Sequence, residues 1–308
     1  MKLSIRSVVR SAGRDLALTG LLLLFLTVQA TSISSGKSSP ADPAWGAVGV
    51  YNAKLKYELD WSFGGKPQRG WYLYEPLISR LIGTDSASES VVFAERLSRW
   101  QRSTGLPATG VLNRETWAKM VSVFQAQRIK SSTVAPSKNL FQAPSTDFLD
   151  HLRPSELRFV ERRAYTAYKQ MIAAATADPD LQPALRGDDR LSTGSDLLKI
   201  ISAYRSPSYQ AELRKQGSKS GRAGLAVRSP HFTGRALDLY VGGEPVNTDD
   251  QNRAAQINTP IYRWLVNNAG RFGFFPYFYE PWHWEFRADD QPARLTARRH
   301  SRRVVHAR

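Results

Sequence analysis

Apolar positions recur at helical spacing in three stretches of the chain. Val92, Leu97 and Trp100 alternate with polar residues, and Gly105 can stop the helix that this pattern predicts. Residues 106–112 then read as a tight turn, and Asn113 offers an N-cap for a second helix over 114–123. After Ser155 as a cap, Leu157, Val160, Ala164, Tyr168, Met171 and Ala175 form an apolar stripe at spacings of 3, 4, 4, 3 and 4. That stripe predicts a long helix, ended by Asp178-Pro179. Thr259-Pro260 opens another helix, carrying Ile261, Trp264, Leu265 and Asn268, with Gly270 or Gly273 to end it.

Between these stripes lie short apolar runs that suit strands. Residues 197–201 read as a buried strand leading into Ser206-Pro207, a cap and first helical position for a helix to Lys215. Residues 237–241 read as a core strand. The run 272–279 is almost wholly aromatic and suits packing. Pro281 is tolerated at a strand's first residue, so 282–286 reads as a short strand with His283 and Glu285 facing away from the tryptophans. Residues 130–145, rich in Ser, Pro and Lys, read as a linker between a first domain over 44–129 and a second over 146–288. Residues 44–83 are rich in Gly and aromatics and give no firm elements.

Composition narrows the classes. The chain of 308 residues has no cysteine, which excludes disulfides, thiolate metal ligands, a cysteine nucleophile and a lipoprotein anchor. A net charge of +16 calls for an anionic partner: nucleic acid, phospholipid or an anionic wall polymer. The first thirty residues choose among these. Lys2, Arg6, Arg10 and Arg14 precede an apolar run over 16–30 that ends in Val28-Gln29-Ala30, the pattern of a signal peptide. The run is short for a membrane span of about twenty residues, although an uncleaved anchor is the alternative. A Ser/Gly/Pro linker over 31–43 follows. Export disfavours nucleic acid and gives a periplasmic, wall or extracellular location. The basic stretch 289–308 then reads as a disordered tail for anionic envelope polymers or lipid head groups.

The chemistry concentrates in two segments. Only five histidines occur in the chain, and two sit in Ser229-Pro230-His231-Phe232-Thr233-Gly234-Arg235-Ala236-Leu237-Asp238 and Glu280-Pro281-Trp282-His283-Trp284. Two imidazoles and a carboxylate are the donor types of a catalytic zinc site with an open fourth position. Gly234 lets the backbone turn between His231 and Asp238, so that both can converge on one ion. Arg205, between a strand end and a helix, sits where a catalytic cation would be held rigidly. Asp60, Asp249 and Asp250 lack such a context and read as surface.

Ser-x-His-x-x-Gly-x-Ala-x-Asp followed by Glu-x-x-His resembles the VanY-like D-alanyl-D-alanine carboxypeptidases, of the superfamily that includes lysostaphin and sonic hedgehog. The resemblance implies that His231, Asp238 and His283 hold one Zn²⁺ and that Glu280 is the catalytic base. Tyr204-Arg205-Ser206 with Gln210 also matches. It implies that Arg205 stabilises the developing oxyanion and that Ser229, Tyr204 and Gln210 contact substrate. Trp100-Gln101, Gly105-Leu106, Thr109-Gly110 and Thr116-Trp117 resemble the three-helix peptidoglycan-binding repeat, with the Trp71-Tyr72 region supplying its first helix. Together these imply an α+β fold: a small antiparallel sheet with flanking helices, preceded by a small helical wall-binding domain. The expected reaction is hydrolysis of a peptidoglycan stem peptide, most simply removal of a terminal D-alanine. Dipeptidase and endopeptidase activity, or a non-catalytic wall-binding protein with a structural or vestigial metal site, are the alternatives.

Overall fold

The computed structural model describes residues 45–186, 196–215 and 226–287, all within one compact unit that begins at Asp42. The signal-peptide expectation, the basic tail and residues 187–195 and 216–225 lie outside the described residues. Among the described residues no helix is long and apolar enough to cross a membrane.

The chain opens with α1 (Trp45–Glu58), a two-stranded hairpin of β1 (Asp60–Phe63) and β2 (Lys66–Arg69), and α2 (Glu75–Ile82). Helices α3 (Val91–Ser103) and α4 (Arg114–Ala126) follow, the second capped by Asn113 as its sequence predicts. The Trp71-Tyr72 region, expected to supply the first helix of a repeat, forms a 3₁₀ turn at Tyr72–Tyr74 that runs into α2, and both α1 and α2 pack on α3. Two buried amides organise this part. Asn52 donates to the Gly110 carbonyl and accepts from the Leu112 N–H, while Gln101 accepts from the Gly110 N–H and donates to the Val111 carbonyl and the Thr116 hydroxyl. The Thr-Gly and Trp-Gln elements of the motif thus brace a loop, and Trp117 lies in the core.

Gly110 has φ +69°, and a Cβ there would lie 2.5 Å from the Trp45 ring and 2.8 Å from the Ala94 carbonyl oxygen. Left-handed backbone costs about 1–2 kcal/mol and overpacking about 1–3 kcal/mol. Gly110→Ala should therefore lower stability by about 2–5 kcal/mol, read as a lower denaturant midpoint.

Residues 130–145 are not a free linker. β3 (Leu140–Gln142) pairs antiparallel with β4 (Phe159–Glu161), and the Ala135 N–H donates to the Phe232 carbonyl. This pairing also shortens the predicted long helix. Val160 belongs to β4, and α5 (Arg162–Thr176) starts after Glu161, whose carboxylate caps it by accepting from the Ala164 N–H. Short α6 (Gln182–Leu185), β5 (Ile200–Ser202) and α7 (Pro207–Lys215) come next. They are followed by β6 (Ala236–Leu239), α8 (Asp250–Ile257), α9 (Pro260–Asn268), β7 (Phe274–Pro276) and β8 (His283–Phe286).

Strands β5, β6, β8 and β7 form one antiparallel sheet in that order. One face carries Leu237, Leu239, Trp284 and Phe286 into a core shared with α5 and α9. A second core joins α2, α3 and α4 to Tyr277, Phe278 and Tyr279, just ahead of Glu280. The aromatic run expected to pack does so, and it packs the helical segment against the connection between β7 and β8.

Candidate metal centre

The opposite face of the sheet builds the site by register. Ser202, Asp238 and His283 stand side by side on β5, β6 and β8, and Glu285 follows two residues further along β8. An irregularity between Ile200 and Ser202 sends Ile200 to the core while Ser202 faces the site, a use that bulges commonly serve. His231 arrives from outside the sheet on a 3₁₀ turn, Pro230–Thr233. Ser229 caps that turn by accepting from the His231 N–H, and Gly234 closes it at φ +65°. A Cβ on Gly234 would lie 2.9 Å from Leu140 and 3.0 Å from the Glu161 nitrogen, so the glycine also admits the β3–β4 pair.

His231, Asp238 and His283 each present one donor atom, and these atoms lie within 4.8 Å of one another. His231 Nε2 is 3.3 Å and His283 Nδ1 is 2.9 Å from the same Asp238 oxygen, Oδ1. The far nitrogens are also engaged. His231 Nδ1 lies 2.6 Å from the Ala203 carbonyl, which makes it the N–H donor and leaves the Nε2 lone pair facing inward. His283 Nε2 lies 3.1 Å from Glu285 Oε1. A ring held by a carboxylate or carbonyl behind it is the usual arrangement for a metal-ligating histidine.

Asp238 Oδ2, the oxygen turned away from the histidines, accepts from Arg205 Nη2 at 2.5 Å. Arg205 is itself held, donating from Nε to the Ser202 hydroxyl at 2.9 Å and from Nη1 to Gln210 at 3.4 Å. Gln210, expected at the substrate, is buried and props Arg205; Ser229 is buried and caps the His231 turn; Tyr204 is half-buried. Glu280 is buried nearby, and among the described residues its Oε1 has no hydrogen-bond partner.

Charge follows this wiring. Burial by itself would raise the Asp238 pKa, but the Arg205 guanidinium and the hydrogen bond from His283 hold it well below the usual carboxylate range. Burial, helped by the Arg205 charge, pushes His231 down to about 4. His283 goes the other way: against the cost of burial, hydrogen bonds to Asp238 and Glu285 push it up to about 9. Glu285 falls to about 2, because His283 and Arg128 outweigh its burial. Burial raises Glu280, reinforced by the Asp238 charge and opposed by His283.

The donor set of two imidazole nitrogens and a carboxylate suits zinc. Among the described residues three groups converge, the number a catalytic zinc takes from protein, and a buried carboxyl oxygen is left without a partner beside them. The residues present fit the ion. Ser202, Arg128 and the Ala203 carbonyl are parts of the site that no motif announced. Of these, Arg128 lies 157 residues from the side chain it holds.

Residues 158–289 match the family model described as D-alanyl-D-alanine carboxypeptidase, VanY, and residues 90–120 match that of a putative peptidoglycan binding domain. Among solved structures, that of the LdcB LD-carboxypeptidase aligns at 23% identity with a TM-score of 0.34. The alignment covers 51% of this chain and 71% of the other. A search of the curated proteins found no match.

Proposed function

We propose that this chain, which carries a VanY-type carboxypeptidase domain over residues 158–289 behind a peptidoglycan-binding segment, is an exported zinc peptidase that removes the terminal D-alanine from peptidoglycan stem peptides. The domain pair makes it a peptidoglycan-acting peptidase of the cell envelope. Zinc, the D-Ala-D-Ala bond and the export signal are the proposed refinements. The observation that carries the reading is the buried Glu280 carboxyl, whose Oε1 has no hydrogen-bond partner among the described residues, beside three convergent donors. A structural site would take a fourth ligand and would have no use for a free carboxyl there.

His231, Asp238 and His283 would hold the ion, which when bound supplies Lewis-acid polarisation of a carbonyl and activation of water. Glu280 takes the proton of the attacking water and gives it to the leaving amine. Its raised pKa suits both halves of that transfer. Arg205 keeps Asp238 ionised and aimed, and its guanidinium has N–H groups left over to meet an oxyanion. The basic tail would add adhesion to anionic envelope polymers or lipid head groups.

Metal uptake should depend on pH in one direction. His231 is already neutral and Asp238 already ionised near neutrality, so the proton that must leave is the one on His283, held up to about 9. Apparent zinc affinity should fall about tenfold for each pH unit below about 9. Chelator competition at several pH values reads this slope, and a flat profile would contradict the assignment of His283. The reaction itself is tested by incubating the metal-loaded protein with purified muropeptides and weighing the products. Loss of one alanine from pentapeptide stems is expected; cleavage of cross-links or release of a dipeptide would move the activity elsewhere in the superfamily.

A further inference from the structure

The segment that leaves α4 does more than join two parts. Arg128 places its guanidinium 3.7 Å over the Tyr277 ring and donates to Glu285 Oε1 from Nε at 2.9 Å and from Nη2 at 2.6 Å. The neighbouring Ile129 N–H donates to the other oxygen, Oε2. The Glu285 side chain is 1% exposed, and its Oε1 also faces His283 Nε2. The strap is pinned on both sides of the centre. Arg287 donates to the Gln127 carbonyl at 2.9 Å, and the Ala135 N–H donates to the Phe232 carbonyl at 2.8 Å, next to His231.

We propose that Arg128 is a positioning residue for the metal centre: it fixes Glu285 as the acceptor of the His283 Nε2 proton and so aims Nδ1 at the site. The helical segment thereby contributes to the centre itself as well as to wall contact. This rests on reading His231, Asp238 and His283 as the metal ligands. The geometry requires arginine. A planar fork sets two bonds on one oxygen while its face lies on Tyr277, whereas a lysine ammonium supplies a point charge without the stack. With Arg128 gone, the buried carboxylate keeps, among the described residues, only the Ile129 N–H and His283 and is free to turn. The ring behind it loses its fixed acceptor, a loss that typically costs about 10–100-fold in metal affinity.

The test uses the full chain, with Arg128→Ala, Arg128→Lys and, as a control, Gly110→Ala, which destabilises the helical segment without touching Glu285. Zinc affinity is read by chelator competition, and the His283 Nε2 proton of the metal-free protein is read by proton–nitrogen NMR. Arg128→Ala should bind zinc about 10–100-fold more weakly and lose the protected Nε2–H signal to exchange. Arg128→Lys should fall between, and carries both readouts where the alanine variant does not fold. Gly110→Ala should keep wild-type affinity and signal. Wild-type affinity with an intact Nε2–H signal in both Arg128 variants overturns the proposal, as does an equal loss in Gly110→Ala. If the wild-type chain binds no zinc, the metal reading fails, and the NMR signal in the metal-free variants still decides whether Arg128 orients His283.

Discussion

Replacing Glu280 by glutamine should slow release of D-alanine by about 10²–10⁴-fold, the usual contribution of one positioned acid–base group, with zinc content and wall binding unchanged. Glutamine keeps the volume of the side chain and one hydrogen-bonding oxygen, while an amide NH₂ that cannot take up a proton replaces the other. Glu280 is buried, its Oε1 has no partner among the described residues, and burial raises its pKa. Those three features cost stability in the resting protein, so the substitution should be neutral or mildly stabilising in denaturant. A slow enzyme with an unaltered or higher midpoint is the expected pair of results. A variant as fast as wild type would remove Glu280 from the chemistry.

Asp238→Ala should abolish zinc binding and also destabilise the metal-free protein by about 3–5 kcal/mol, the cost of breaking a buried ion pair from one side. Asp238 is the hub of the site. One of its oxygens meets both histidines, and the other meets Arg205, whose side chain is 9% exposed. Removing the carboxylate strands that guanidinium among Ser202 and Gln210, neither of which carries charge. Urea unfolding of metal-free wild type and variant measures the difference. An unchanged midpoint would mean that Arg205 finds other compensation, and the buried clamp described here would lose its basis.

The candidate ligands were legible because their chemistry is sequence-local: histidine, glycine and aspartate within one turn and one strand, and glutamate and histidine across another. Caps with a following proline were equally legible, and α7 and α9 begin where Ser206-Pro207 and Thr259-Pro260 place them. The helical stripe from Leu157 misled, because Val160 satisfies a helix period and a strand equally well. Pairing of Phe159–Glu161 with Leu140–Gln142 decided between them. That pairing also hid in the Ser/Pro/Lys composition of 130–145, which signals a linker when read alone. Resemblance places Ser229 and Gln210 at the substrate; in the structure Ser229 caps the His231 turn and Gln210 props Arg205, both through contacts local in sequence. Arg128 gave no signal at all among 43 lysines and arginines; only the fold lays it on Tyr277 and Glu285.

The most direct test of the account is the rate of D-alanine release from a stem pentapeptide as zinc is returned to the metal-free protein. The rate should rise in proportion to bound zinc and saturate at one ion per chain. His283→Ala should bind none and stay inactive at the same zinc concentration. Full activity in the zinc-free wild type, or in His283→Ala, would contradict the reading of His231, Asp238 and His283 as the centre of the enzyme.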